Sequence, residues 1–239
     1  MWSGKKDGNT NLFVPLIQNN DTVDTATFMF ELRKSEGWYF VEFGTPNPII
    51  TNSGTVTWFA VNNNSNYWSN KIYGYKWGST MGDNTEYVFT SKDADIWSAY
   101  SCIAGPDGQL DGIINGILGK MTIFAINATW GYIFWCSDVT SGLLPSFFLN
   151  LGGYWMEVTP ENYTFTIGNS SNGNAVCTLC LKSYSTIDYW VLGNAFMYDW
   201  YIIFDYNNNQ FGFIRDHRST ITSTPVADNR DDTTSGAGT

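Results

Sequence analysis

The chain is 239 residues long, 17% aromatic and only 14% charged, with a formal net charge of −10 at neutral pH. That length allows one large all-β unit or two small domains with ample core. The acidic balance leaves no basic stripe to neutralise phosphates, which excludes nucleic acid as a partner, and no apolar run of about 18 residues is present to form a membrane span.

The opening text, MWSGKKDGNTNLF, carries lysines but no apolar run, so it is not read as a signal peptide. Yet N-x-S/T acceptor sequences occur at Asn20, Asn63, Asn127, Asn162 and Asn169, and the cysteines number four, an even count. Both features lean toward the secretory pathway, vacuolar/lysosomal or extracellular. Secretory features without a signal peptide lead us to expect a fragment or a processed product.

Strand patterns follow in order. Phe28 to Leu32 and Trp38 to Phe43 flank the turn text Lys34-Ser35-Glu36-Gly37. Thr55 to Val61, Ile72 to Trp77, Glu86 to Thr90, Thr122 to Ile126, Tyr132 to Cys136 and Phe147 to Leu151 continue the series. One helix interrupts it. Leu110, Ile113, Ile114, Ile117 and Leu118 share an apolar face, Pro106-Asp107 precedes them and Gly119 ends them. Gly112 and Gly116 on that helix read as sites of close packing. Glu157 and Glu161 are read as surface charges rather than a glycosidase pair, because nothing in their spacing sets a separation across a sugar.

The block Tyr189 to Ile214, YWVLGNAFMYDWYIIFDYNNNQFGFI, is the most specific text in the chain. It reads as a buried strand ending at Gly193-Asn194, then a strand Trp200 to Phe204, an Asn-rich turn, and a strand Phe211 to Ile214. Beyond it, Asp216 to Thr239 is Ser/Thr/Asp/Gly-rich and is expected to be a disordered polar tail. The single histidine, His217, stands at the start of that tail. This removes Ser-His-Asp and Cys-His chemistry within one chain, and no metal site or cofactor is expected.

The Tyr189–Ile214 block resembles the last segment of pepsin-like aspartic proteases, and the resemblance runs in order through about residues 12 to 215. Leu144-Pro145 with Phe147 to Gly153 is similar to the family's Leu-Pro, apolar strand and Gly turn, and Thr159 to Tyr163 to its Pro-x-x-Tyr ending. Gly54 to Val61 resembles the strand that opens the C-terminal lobe, and Phe28 to Leu32 with Phe40 to Gly44 the segment crossing between lobes. The resemblance implies a mainly β fold: a pepsin-like acid protease lobe with one short amphipathic helix. Residues 1–54 would be the end of the N-terminal lobe and the inter-lobe strands, 55–215 the C-terminal lobe and 216–239 the tail. Gly131 to Cys136 resembles the family strand that ends in a half-cystine. It implies a Cys136–Cys177 disulfide, with Cys180 as the other choice; Cys180 is also a candidate partner for Cys102.

The family hydrolyses peptide bonds with two aspartates that share one proton across a two-lobed cleft, each from an Asp-Thr/Ser-Gly loop. No Asp-Thr-Gly occurs in this chain, and the resemblance omits the first lobe's loop. The second loop should precede the helix. Anchored on Gly105-Pro106, the text Ala94 to Pro106 puts Trp97 at the aspartate position, Ser98 and Ala99 at the next two, and Tyr100 and Ser101 after them. Asp95 is the fallback carboxylate, two residues away. Asn52-Ser53-Gly54 and Asp138 to Gly142 resemble fragments of the motif but read more simply as turns. The expectation is a pseudoprotease or a fragment, binding peptide or protein in a half-cleft or a separate N-terminal lobe. Two alternatives stand beside it: an active aspartic endopeptidase completed by an upstream lobe, and a secreted carbohydrate- or protein-binding or inhibitor module, which eleven tryptophans would suit.

Overall fold

The computed structural model describes residues 24–34, 37–51, 54–62, 67–78, 86–127, 129–215 and 225–228. His217, Asn20, Asn63 and the Asn52-Ser53 pair lie outside them. The described residues are mainly β, built as three sheets with one three-turn helix and several single-turn ones.

The first sheet has the strand order β2-β1-β15-β16-β3, from β1 (Thr27–Arg33), β2 (Trp38–Phe43), β3 (Thr57–Ala60), β15 (Trp200–Asp205) and β16 (Gln210–Arg215). β1 pairs antiparallel with β15, Phe28 opposite Phe204 and Phe30 opposite Ile202. Residues near the start of the chain therefore share a sheet with residues near its end. One face of this sheet is aromatic: Phe28 stacks on Phe204, and Phe59 on Phe211. Each fully buried phenylalanine contributes roughly 2–3 kcal/mol. A short helix, α1 (Pro48–Thr51), follows β2.

The second sheet runs β13-β6-β14-β5-β4-β9-β10-β17. Its strands are β4 (Ser69–Trp77), β5 (Glu86–Ile96), β6 (Ile103–Pro106), β9 (Phe147–Leu151), β10 (Tyr154–Val158), β13 (Leu181–Tyr184), β14 (Trp190–Leu192) and β17 (Val226–Ala227). Two pairings are parallel, β13 with β6 and β14 with β5. β5 runs to Ile96, well past the Thr90 expected from the sequence, because the polar stretch Ser91 to Asp93 interrupts the apolar pattern before Ala94 and Ile96. The helix α2 (Asp107–Leu118) packs Leu110, Ile113, Ile114 and Ile117 inward and ends at Gly119. Its two glycines are close-approach sites, Gly112 against the Tyr75 ring and Gly116 against the Trp77 indole.

The third sheet, β11-β12-β8-β7, comprises β7 (Ala125–Asn127), β8 (Gly131–Trp135), β11 (Thr164–Asn169) and β12 (Ala175–Leu179). Three further single-turn helices lie among the described residues: α3 (Ser137–Thr140), α4 (Pro160–Tyr163) and α5 (Asn194–Met197). α4 is formed by the Pro-x-x-Tyr text. Pro160 opens it, and the Tyr163 hydroxyl donates to the Pro145 carbonyl at 2.9 Å, joining the Leu-Pro and Pro-x-x-Tyr texts in space.

Two readings change with the structure. Glu157 is not a surface charge: it is only 6% exposed, while Glu161 is exposed. The tail after residue 215 is not without structure throughout, because Val226–Ala227 forms β17 on the outer edge of β10. A strand edge offers unpaired N–H and C=O groups that even a polar segment can satisfy.

Candidate functional site

Trp97 to Ser101 forms the loop between β5 and β6, and β14 lies between those two strands. The chain that follows β14 threads the loop. The Trp97 amide donates to the Leu192 carbonyl at 3.0 Å, Gly193 to Cys102 at 3.1 Å, Asn194 to Tyr100 at 2.8 Å and Ala195 to Ser101 at 2.9 Å. A Cβ on Gly193 would strike the Tyr100 and Cys102 carbonyls. Glycine is needed here for room rather than for a left-handed backbone, since its φ is −85°. The apolar-apolar-Gly text at Val191-Leu192-Gly193 is thus the thread, and Trp97–Ser101 is the eye it passes through.

Cys102, at the base of the loop, is bonded to Cys180 just before β13. Cys136, at the end of β8, is bonded to Cys177 in β12. All four cysteines are paired.

The side chains at the loop are poor proton carriers. Trp97 occupies the first position and is 38% exposed. Ser98 is half-buried, and Ala99 and Ser101 are exposed. The Tyr100 hydroxyl lies 3.5 Å from that of Tyr184 in β13. Burial first, then the hydrogen bond with Tyr184, raises the Tyr100 phenol well above its ordinary value. Tyr184 is 84 residues from Tyr100 in the chain, and nothing in the local text marks it as a neighbour.

Asp95 does not join the loop. It lies within β5, opposite Ser69 of β4 and Val191 of β14. Burial first, then the like charge of Asp93, raises its carboxyl to about 6. Asp93 itself is held by Lys71 at 2.8 Å and by the Asn62 amide at 2.6 Å. Asp138 to Gly142 is elsewhere: it forms α3 and the turn after it, where the Ser141 hydroxyl donates to the Asp138 carbonyl at 3.0 Å. Among the described residues no group of three or more His, Cys, Asp or Glu side chains converges on a metal position, and no helix is long and apolar enough to cross a membrane.

The acceptor asparagines differ in environment. Asn127 and Asn169 are exposed. Asn162 is 5% exposed, and its amide donates to the Asp199 carboxylate at 2.8 Å.

A family model described as eukaryotic aspartyl protease matches residues 3–215. Cathepsin D of Homo sapiens is 33% identical over 89 residues, covering 34% of this chain and 20% of the relative. Cathepsin D of Gallus gallus is 29% identical over 130 residues, 52% of this chain and 30% of the relative. Penicillopepsin-1 of Penicillium janthinellum is 27% identical over 168 residues, 67% of this chain and 45% of the relative. The chain spans less than half the length of these curated relatives. On the match over residues 3–215, this chain belongs to the eukaryotic aspartyl protease family, the pepsin-like aspartic proteases.

Proposed function

We propose that this chain is a non-catalytic pepsin-like lobe that binds an extended peptide or a protein segment along the half-cleft around its threaded loop. The observation that supports this most is Trp97 at the first position of the loop, hydrogen-bonded through its backbone to Leu192. An indole has only a donor N–H and neither ionises nor takes up a proton near neutrality, so it acts neither as general base nor as general acid. Tyr100, the titratable side chain of the loop, has its phenol raised further above its ordinary value by burial, so it stays protonated near neutrality. Exposed aromatic surface at Trp97, Tyr184 and Tyr189 supplies apolar contact for a bound chain.

Two disulfides and two exposed acceptor asparagines, Asn127 and Asn169, favour an oxidising compartment of the secretory pathway, extracellular or vacuolar/lysosomal. Glycans are proposed at those two positions and not at the buried Asn162.

The test is hydrolysis of a denatured protein by the purified chain at acidic pH, with a statine-type inhibitor as control. No inhibitor-sensitive cleavage is expected. Inhibitor-sensitive cleavage that disappears in Asp95→Asn would favour the active-protease reading instead, with Asp95 as its carboxylate.

A further inference from the structure

Residues 225–228 lie beyond the stretch that matches the family, 3–215, yet they dock on the main sheet. Tyr154 of β10 pairs with Ala227, and Trp155 with Val226. The Asp228 amide donates to the Gly153 carbonyl at 2.7 Å. The Asp228 carboxylate accepts a hydrogen bond from the Asn150 side-chain amide.

Asn150 is built for this contact. It is fully buried, in β9 next to the β9–β10 hairpin. Its Oδ1 accepts from the Gly153 amide at 3.1 Å, which orients the side chain and aims Nδ2 outward toward the edge. The hairpin turn, Gly152-Gly153, has φ of +55° and +85°, which suits glycine at both positions and lets the chain reverse tightly around Asn150. A buried amide N–H without an acceptor costs about 1–3 kcal/mol, so the edge favours a segment that brings one. The docked side chains add little apolar burial: Val226 is 50% exposed and Ala227 is also exposed. Recognition therefore rests on the strand backbone and one carboxylate.

We propose that the outer edge of β10 is a strand-binding site for an extended peptide carrying an aspartate, and that the chain's own Pro225–Asp228 segment is its resident occupant. Strand addition to a free edge is a general mode of peptide capture. The same contact caps an edge that otherwise templates pairing with other chains.

The test uses the full chain and a fluorescent peptide of the sequence ITSTPVADNR, residues 221–230. Full-length Asp228→Ala, with the latch broken, should bind the peptide about tenfold or more tightly than the wild-type chain, whose site is occupied. A peptide with the aspartate replaced by asparagine should bind the same variant about tenfold more weakly. Hydrogen exchange at Tyr154, Trp155 and the backbone amide of residue 228 should speed up in Asp228→Ala while the rest of the sheet is unchanged. Equal peptide binding by wild type and variant, or equal binding of the aspartate and asparagine peptides, overturns the proposal.

Discussion

Gly193 and Cys102 are joined backbone to backbone, the glycine amide donating to the Cys102 carbonyl at 3.1 Å, with no space left for a side chain on the glycine. The contact closes the threaded loop. Gly193→Ala places a methyl group against two carbonyl oxygens that are held by their own hydrogen bonds, so neither neighbour yields cheaply. We expect a loss of about 3 kcal/mol, at the upper end for overpacking, measured by urea denaturation. A loss under about 0.5 kcal/mol would mean that the thread is looser than described.

Asp95 costs the fold stability at neutral pH. Its carboxyl is raised from 3.8 to about 6 by burial and by Asp93. The folded state therefore holds this proton more tightly than the unfolded chain does. The contribution is intact below the unfolded value near 3.8 and is lost as pH rises through about 6. Asp95→Asn should stabilise the protein at pH 7 by about 1–2 kcal/mol, discounted because the group is partly exposed, and have little effect at pH 3.5. Denaturation at the two pH values separates these outcomes.

Lys34 behaves in the opposite sense. Its ammonium group donates to the carbonyls of Glu161 and Thr164 and lies 5.8 Å from the centre of the Tyr198 ring. Burial lowers it from 10.5 to about 8, against the raising effects of Glu161 and Asp199. The unfolded chain binds this proton more tightly than the native one, so the contribution of Lys34 to stability increases with pH from about 8 to 10.5. Isotope-edited NMR of methylated lysines should show one amine titrating near pH 8. That signal should be absent in Lys34→Arg.

The disulfides differ in what they hold. Cys136–Cys177 closes a separation of 41 residues and Cys102–Cys180 one of 78. Replacing each pair by serine should cost about 4 kcal/mol, slightly more for the longer loop. The second replacement should also loosen Trp97 to Ser101, because Cys102 is the end of that loop. Tryptophan fluorescence and quenching of Trp97 should change in Cys102→Ser/Cys180→Ser and not in Cys136→Ser/Cys177→Ser.

Much of this protein is legible in its text where side chains repeat with a clear period. Phe28 to Leu32, Phe147 to Leu151 and the helix from Asp107 to Leu118 announce themselves by alternation or by a single apolar face. The second half of β5 does not, because Ser91 to Asp93 are polar, and Lys92 and Asp93 are held there by pairing with Ile72 and Lys71 of β4. The loop Trp97 to Ser101 ahead of Gly105-Pro106 is likewise legible as a break between two strands. What that loop does inside the fold is not, because Leu192 and Gly193 reach it from almost a hundred residues later in the chain.

By itself, then, the sequence determined the family and much of the run of strands. These are local properties, written in neighbouring residues. The tertiary structure alone decided that Gly193 is glycine for lack of room, that Asp95 faces Ser69 and Val191 rather than the loop, that Tyr100 meets Tyr184, and that Asp228 latches onto Asn150. Each depends on distant segments sharing one small volume, where burial and hydrogen bonding are set by the packing of the whole chain.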